Sequence, residues 1–309
     1  MKLAQSTMPE AQPPQPPTLR HTRTSSVMMG RQDFLSVVLR LTSTELYKIR
    51  RRAMSKVILI VSVCVIFFTF LLVPFISQEQ LHLPLSLTVA VEVPRLLGVI
   101  LIIILAGSIV GGEYGIGTIR LMLTRGPTRT QFLLGKIGAA LACVVLGLLF
   151  MVLFGLLMGQ ILSLFFDAST NWQFLSLGWL GHALLYIFSA IPGLFVYAMM
   201  ALFLATLGRS STAGVAGGIA WSLLEPVLGL LVSTIGQRMQ GALGSFFTAV
   251  PDYLISNNVD ALLQNQSLFL THDSPATLNS LHALLVLLAY AVVFIGLAWG
   301  LMARRDVTN

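Results

Sequence analysis

The chain has 309 residues, of which 56% are hydrophobic and only 10% charged. A water-soluble domain has about a quarter of its residues charged, so this composition excludes one and identifies an integral membrane protein. The formal net charge of +7 comes from basic residues flanking apolar runs, a membrane-surface pattern that excludes a nucleic-acid partner.

The first 30 residues lack the apolar core of a cleavable signal. They read as a Pro-rich, disordered cytoplasmic tail, with a Ser/Thr cluster beside Arg20 and Arg23. Residues 33–56, "DFLSVVLRLTSTELYKIRRRAMSK", predict an amphipathic helix. Leu35, Val38, Leu39, Leu46, Ile49 and Ala53 share its apolar side, while Arg40, Lys48 and Arg51 point away. Such a helix lies in the bilayer interface with its basic side toward anionic headgroups.

A membrane-crossing helix needs about 20 mostly apolar residues. Six segments meet this: 57–76, 94–113, 137–158, 184–207, 213–232 and 283–302. In the second, the uninterrupted apolar core is 96–110, and Glu92, Pro94 and Arg95 mark its edge at the headgroups. The fold class is therefore all-α and polytopic, a six-span domain over 31–309 preceded by the 1–30 tail. Of the 19 Lys and Arg residues, all but Arg95 and Arg238 fall on one side of this arrangement. That side is the cytoplasm, which places both termini inside a plasma-membrane protein and 77–93, 165–178 and 236–280 outside. Cys64 and Cys143 lie within apolar runs, so neither a disulfide framework nor a metal site is legible.

Between the second and third spans stands "GGEYGIGTIRLMLTRGPTRTQFLLGK", residues 111–136. Glu113 ends the second span, and Gly115 and Gly117 loosen the chain. Thr118 is a good N-cap for two turns of helix, stopped by Gly126-Pro127. Thr128-Arg-Thr-Gln131 has capping-box spacing and opens the next helix. Ile119, Met122 and Leu123 form an apolar ridge with Arg120 and Thr124 beside it, a surface suited to a partner's groove.

These residues carry a family resemblance. Glu113, Gly117, Thr118, Leu121, Thr124, Arg125, Pro127, Arg129 and Lys136, with the preceding "ELYKIRRR" helix and the six-span layout, resemble the permease subunits of type-2 ABC exporters. The branch most similar is that of the bacitracin-resistance permeases. The resemblance covers the chain from about residue 31 onward and implies that the loop is a coupling helix seated on a separate ABC ATPase subunit. Glu113, Gly117, Thr118, Ile119, Arg120, Met122, Leu123 and Arg125 are then the ATPase-coupling residues. It further implies two permease copies, identical or related, in the lipid bilayer, with ATP and Mg held by the partner and no cofactor by this chain. In agreement, the phosphate-loop pattern Gly-x4-Gly-Lys-Ser/Thr is absent, since Gly135-Lys136 is followed by Ile137. The chain is not itself expected to be an enzyme.

The fifth span, "AGVAGGIAWSLLEPVLGLLV", gathers Gly214, Gly218, Ser222, Glu225 and Gly229 into one stripe about 80° wide on a helical wheel. Gly214 and Gly218 have the four-residue spacing of a close packing face. An acidic residue near mid-membrane costs about 2.5–3.5 kcal/mol, so Glu225 must face protein or water. Gly218, Ser222, Glu225 and Gly229 are thus candidates for a translocation path or a subunit interface. The alternative is a stand-alone secondary transporter with Glu225 as its proton site. Pro226 beside Glu225, and Ser189, Pro192 and Gly193 in the fourth span, are expected kinks. Residues 236–280 predict interfacial helices split at Pro251 and carrying Asp252 and Asp260. They are either a lid or a loop resting on headgroups, with a glycosylation sequon at Asn265 and with His182 and His282 near span ends.

Overall fold

The computed structural model describes residues 34–77, 85–116, 128–165, 176–271 and 276–304. All regular structure among them is helical: α1 (Phe34–Arg51), α2 (Ala53–Ser77), α3 (Leu85–Ile116), α4 (Arg129–Phe165), α5 (Leu177–Gly208), α6 (Ser211–Arg238), α7 (Ala242–Ala249), a 3-10 turn (Val250–Tyr253), α8 (Ile255–Thr271) and α9 (Ser280–Arg304). Helices α2, α3, α4, α5, α6 and α9 are long and apolar enough to cross a membrane, matching the six expected spans in order. The expected tail and the helix at 118–125 lie outside the described residues.

Two expectations need correction. First, α3 does not begin at residue 94. It begins at Leu85 and runs through Pro94. The extra turns are held by tertiary packing: Ser86, Leu87, Ala90 and Val91 are all buried. Ser86 and Ala90 pack on Gly155 and Gly159 of α4, where an added Cβ would come within 2.9 Å of Ser86 Cβ and 2.8 Å of Ala90 Cβ. Phe70 of α2, fully buried, lies over the same two glycines. This small-residue seam, spaced four apart on both helices, is how apolar helices approach closely without a hydrophobic drive in lipid.

Second, α1 turns a different side inward. Leu35 and Leu39 are exposed, whereas Glu45 and Ile49 are buried. Lys48, expected to point away, faces the protein. The helix lies on α4, where Gly135 and Gly138 admit Leu41 and Thr42 at close range, and Thr42 donates to the Gly135 carbonyl at 3.3 Å. A bend at Arg52 separates α1 from α2, and the Arg52 guanidinium donates to the Ser108 carbonyl of α3 at 3.1 Å.

Helix α3 is central, packing against α4, α5 and α6. Gly107 and Gly111 of α3 meet α6 at Gly214 and Ser211, and Gly218 meets Ile103. The expected glycine face of the fifth span is therefore a packing face. One end of the bundle carries α1 and both residues bounding 117–127. At the opposite end α7 folds back along α6, with Gly236 against Thr248 and Gly229 against Leu254. The chain turns at Pro251, where the split was expected, and α8 then runs back against α5, with Val259 against Gly193 and Phe269 stacked on His182 at 4.3 Å. Segment 242–271 is thus a hairpin in which α8 packs against α5, α6 and α9, while α7 lies along α6 with only Gly244 buried.

Candidate functional site

The residues flanking 117–127 are drawn together by charge. Glu113 of α3, Lys136 of α4, and Glu45 and Lys48 of α1 form one cluster at the α1 end of the bundle. Lys136 Nζ lies 3.0 Å from Glu113 Oε2 and 3.5 Å from Glu45 Oε2. Lys48 Nζ lies 2.7 Å from Glu45 Oε1 and 3.2 Å from Glu113 Oε1. Lys136 is 1% exposed and also donates to the Ile109 carbonyl at 3.0 Å, with its ammonium over the Phe132 ring. Two acids and two bases in alternation leave no net charge, which is what makes burial of Glu45, Glu113 and Lys136 beside the half-buried Lys48 tolerable. Burial alone would raise the Glu45 carboxyl and lower the Lys48 ammonium. The opposite charges win in both: Lys136 and Lys48 hold Glu45 below its ordinary value, and Glu45 and Glu113 hold Lys48 above its own.

The other flank of the loop is fixed by hydrogen bonds. The Thr128 side chain accepts from Gln131 N at 3.2 Å and the Gln131 side chain accepts from Thr128 N at 2.9 Å, the reciprocal pairing of the expected capping box. Arg129 donates to the carbonyls of Met302 at 2.7 Å and Ala303 at 3.0 Å. These are terminal carbonyls of α9, which have no partner within their own helix. Trp299 adds a bond to Thr130 at 3.3 Å. The residues on either flank of 117–127 are therefore tied to α1 by the charge cluster and to α9 by Arg129.

Of the expected coupling residues, Glu113 is in this cluster. Gly117, Thr118, Ile119, Arg120, Met122, Leu123 and Arg125 lie outside the described residues. Glu45, Lys48 and Arg129's cap on α9 were missed as site features. The one signal available was Glu45 standing alone among the bases of "ELYKIRRR", with Lys48 three residues on.

The fifth-span stripe forms a second polar centre. Glu225, midway along α6, is 1% exposed. Its Oε2 accepts from the Tyr197 hydroxyl of α5 at 3.2 Å. Its Oε1 accepts from the backbone N–H groups of Ile255 and Ser256, the latter at 3.2 Å. Those are the first residues of α8, so Glu225 caps a neighbouring helix with a carboxyl oxygen on its first N–H groups. Gly218 and Gly229 face Ile103 and Leu254. Ser222, half-buried, donates to its own Ile219 carbonyl at 2.9 Å. The stripe turns inward as expected, but its acid is engaged by protein.

The hairpin is held further along its length. Arg95 pairs with Glu92 and with Asp260 of α8. His282 bonds the Asp252 carbonyl at 3.1 Å. Asn265 donates to the Leu278 carbonyl at 2.8 Å and accepts from Ala276 N at 3.1 Å, so the sequon side chain is spent on tertiary bonds. Among the described residues, no group of three or more His, Cys, Asp or Glu is placed to hold a metal ion.

The profile of one protein family, described as ABC-2 family transporter protein, matches residues 41–217. The match spans most of α1, all of α2 to α5 and the start of α6, and so takes in the whole charge cluster. Comparison with curated proteins finds no match.

Proposed function

The chain belongs to the ABC-2 transporter family, and from this we propose that it is the permease of an ATP-driven exporter of the bacitracin-resistance-like branch. As a member of that family it is a membrane transport component whose ATPase activity resides in a separate subunit. On our reading the α1 end faces the cytoplasm of a plasma-membrane protein, where Ile119, Arg120, Met122, Leu123 and Arg125 dock on the ATPase. Glu113, Gly117 and Thr118 set the angle of the helix they belong to. ATP and Mg are the partner's, and a second permease copy or a related chain completes the assembly.

The observation that supports this most is the buried cluster of Glu45, Lys48, Glu113 and Lys136. A push on 117–127 by a closing ATPase reaches α3 and α4 through Glu113 and Lys136. It reaches α1 through Glu45 and Lys48, so three helices move as a unit. Arg129 carries the same push to α9. Such a linkage converts closure of an external motor into a rocking motion of spans, and the permease supplies no chemistry. The rival use of Glu225 as a carrier's proton site is the weaker reading, because its carboxyl group is occupied in capping α8.

The test is isolation of the tagged chain in mild detergent. A co-purifying protein with a phosphate loop, whose ATPase activity in membranes depends on this chain, is the expected result. Isolation free of any ATPase, with transport persisting without one, would overturn the reading.

A further inference from the structure

Arg95 of α3, Tyr197 of α5, Ser222 of α6 and Ser256, Asn257 and Asp260 of α8 line a cavity of about 380 Å³. That is the size of a small-molecule pocket, which commonly measures about 300–1,000 Å³. Two features of its wall bear on what fits. The single guanidinium of Arg95 is shared by two carboxylates, Asp260 in the wall and Glu92 behind it, outside the lining, so the group as a whole carries one net negative charge. Glu225 adds no cation to offset this, and its carboxyl oxygens are bonded to Tyr197 and the start of α8. The Asp260 side chain is 52% exposed even while paired with Arg95, and so presents carboxylate surface to an incoming group. The Ser256 hydroxyl oxygen is buried and has no hydrogen-bond partner, although such groups are ordinarily paired.

The rim is of the opposite character. Leu96 and Leu223, which border the cavity, are 63% and 60% exposed. They lie on helices that cross the membrane, where an exposed leucine meets hydrocarbon. An acidic, hydroxyl-bearing chamber that opens past leucines combines a seat for a cation with a seat for an alkyl chain.

We propose that this chamber binds a single-chain amphiphile with an ammonium headgroup, the ammonium against Asp260 and the Ser256 hydroxyl, and the chain lying past Leu96 and Leu223. The proposal rests on the permease reading for its meaning, as a seat for the transported molecule, but binding itself requires no ATPase. Selectivity follows from charge: an alkyl carboxylate of equal length meets the Asp260 carboxylate and an Arg95 guanidinium already held by two acids, and a neutral alcohol gains no ion pair.

The experiment uses the full chain in lipid nanodiscs without ATPase or nucleotide. Radiolabelled octylammonium is measured by equilibrium dialysis against protein-free nanodiscs, with octanoate and octanol as comparison probes. Saturable octylammonium binding, with octanoate and octanol showing none above the protein-free background, is expected. Asp260→Asn should weaken it about tenfold or more, the cost of losing a hydrogen bond to a charged group. Ser222→Trp, which fills the chamber from α6, should abolish it. Both variants are read only at unchanged gel-filtration profile and melting temperature; if either misfolds, Ser256→Ala, which removes the hydroxyl without adding bulk, takes its place and should also weaken binding. Absence of saturable binding by the wild type, equal binding of octanoate, or undiminished binding by a folded Asp260→Asn protein would each overturn the proposal. Failure of the ATPase to co-purify bears on the permease reading alone and leaves these outcomes unaffected.

Discussion

Lys136 Nζ lies 3.0 Å from Glu113 Oε2, a buried ion pair joining the two helices between which segment 117–127 is strung. Because each ion is shielded from water, the pair is costly to break from one side only.

Glu113→Gln or Lys136→Met alone should therefore destabilise the protein by about 3 kcal/mol or more, since each leaves an uncompensated buried charge. The double change Glu113→Gln with Lys136→Met removes one ion of each sign, leaves the Glu45–Lys48 pair, restores neutrality and should recover at least half of that loss. Melting temperatures of the purified single and double variants in one detergent provide the check. A double variant as unstable as the sum of the singles would show that the cluster is not held by mutual attraction.

Met122→Asp combined with Leu123→Asp should abolish ATPase association while leaving membrane insertion intact, because neither residue lies in a span. Apolar anchors buried in a groove contribute about 2 kcal/mol or more, and two together exceed what a modest complex retains. Co-purification yield read beside ATPase activity in membranes is the measurement. Undiminished association would remove 119–125 from the interface.

Glu225→Gln and Glu225→Leu separate capping from proton chemistry. Glutamine keeps a carbonyl oxygen for Ile255 N and Ser256 N, and should cost about 1 kcal/mol. Leucine leaves both donors buried and unpaired, at about 1–3 kcal/mol each. Hydrogen exchange at residues 255–258 should quicken in the leucine variant and stay near wild type in the glutamine one. Transport lost equally in both, with exchange unchanged, would favour a titrating role instead.

Cysteine labelling tests the orientation. In a background with Cys64→Ala and Cys143→Ala, Gln240→Cys in the exposed turn after α6 should react with an impermeant maleimide on intact cells. Arg50→Cys on the exposed side of α1 should react only after permeabilisation. The reverse pattern would invert the topology drawn from the basic residues.

Much of the fold was legible because spans are written in composition, and composition is local. The six long helices, the glycine face at Gly214 and Gly218, the turn at Pro251 and the Thr128–Gln131 capping box are all properties of short stretches. What eluded the sequence was pairing across distance. A proline with two neighbouring charges resembles a helix boundary, so the sequence points to Pro94 as the start of α3. In the fold, Glu92 and Arg95 are spent on each other and on Asp260, and Ser86 and Ala90 fit the Gly155/Gly159 notch. The notch was visible as a four-residue glycine spacing, but its partner was not. The inward face of α1 is hidden for the same reason: nothing within 33–56 reveals that Glu45 and Lys48 have opposite charges waiting on α3 and α4.

The hairpin of α7 and α8 has a consequence for biogenesis. At 17 residues, with asparagines near its start, α8 lacks the length and apolarity of a candidate span, so it has little reason to partition into lipid by itself. Its seat is composed of side chains from elsewhere: Glu225 for its first N–H groups, Gly193 for Val259, Arg95 for Asp260. That seat exists only once α3, α5 and α6 already stand side by side. The hairpin is accordingly a late-arriving keystone, admitted after the spans around it have been threaded and assembled.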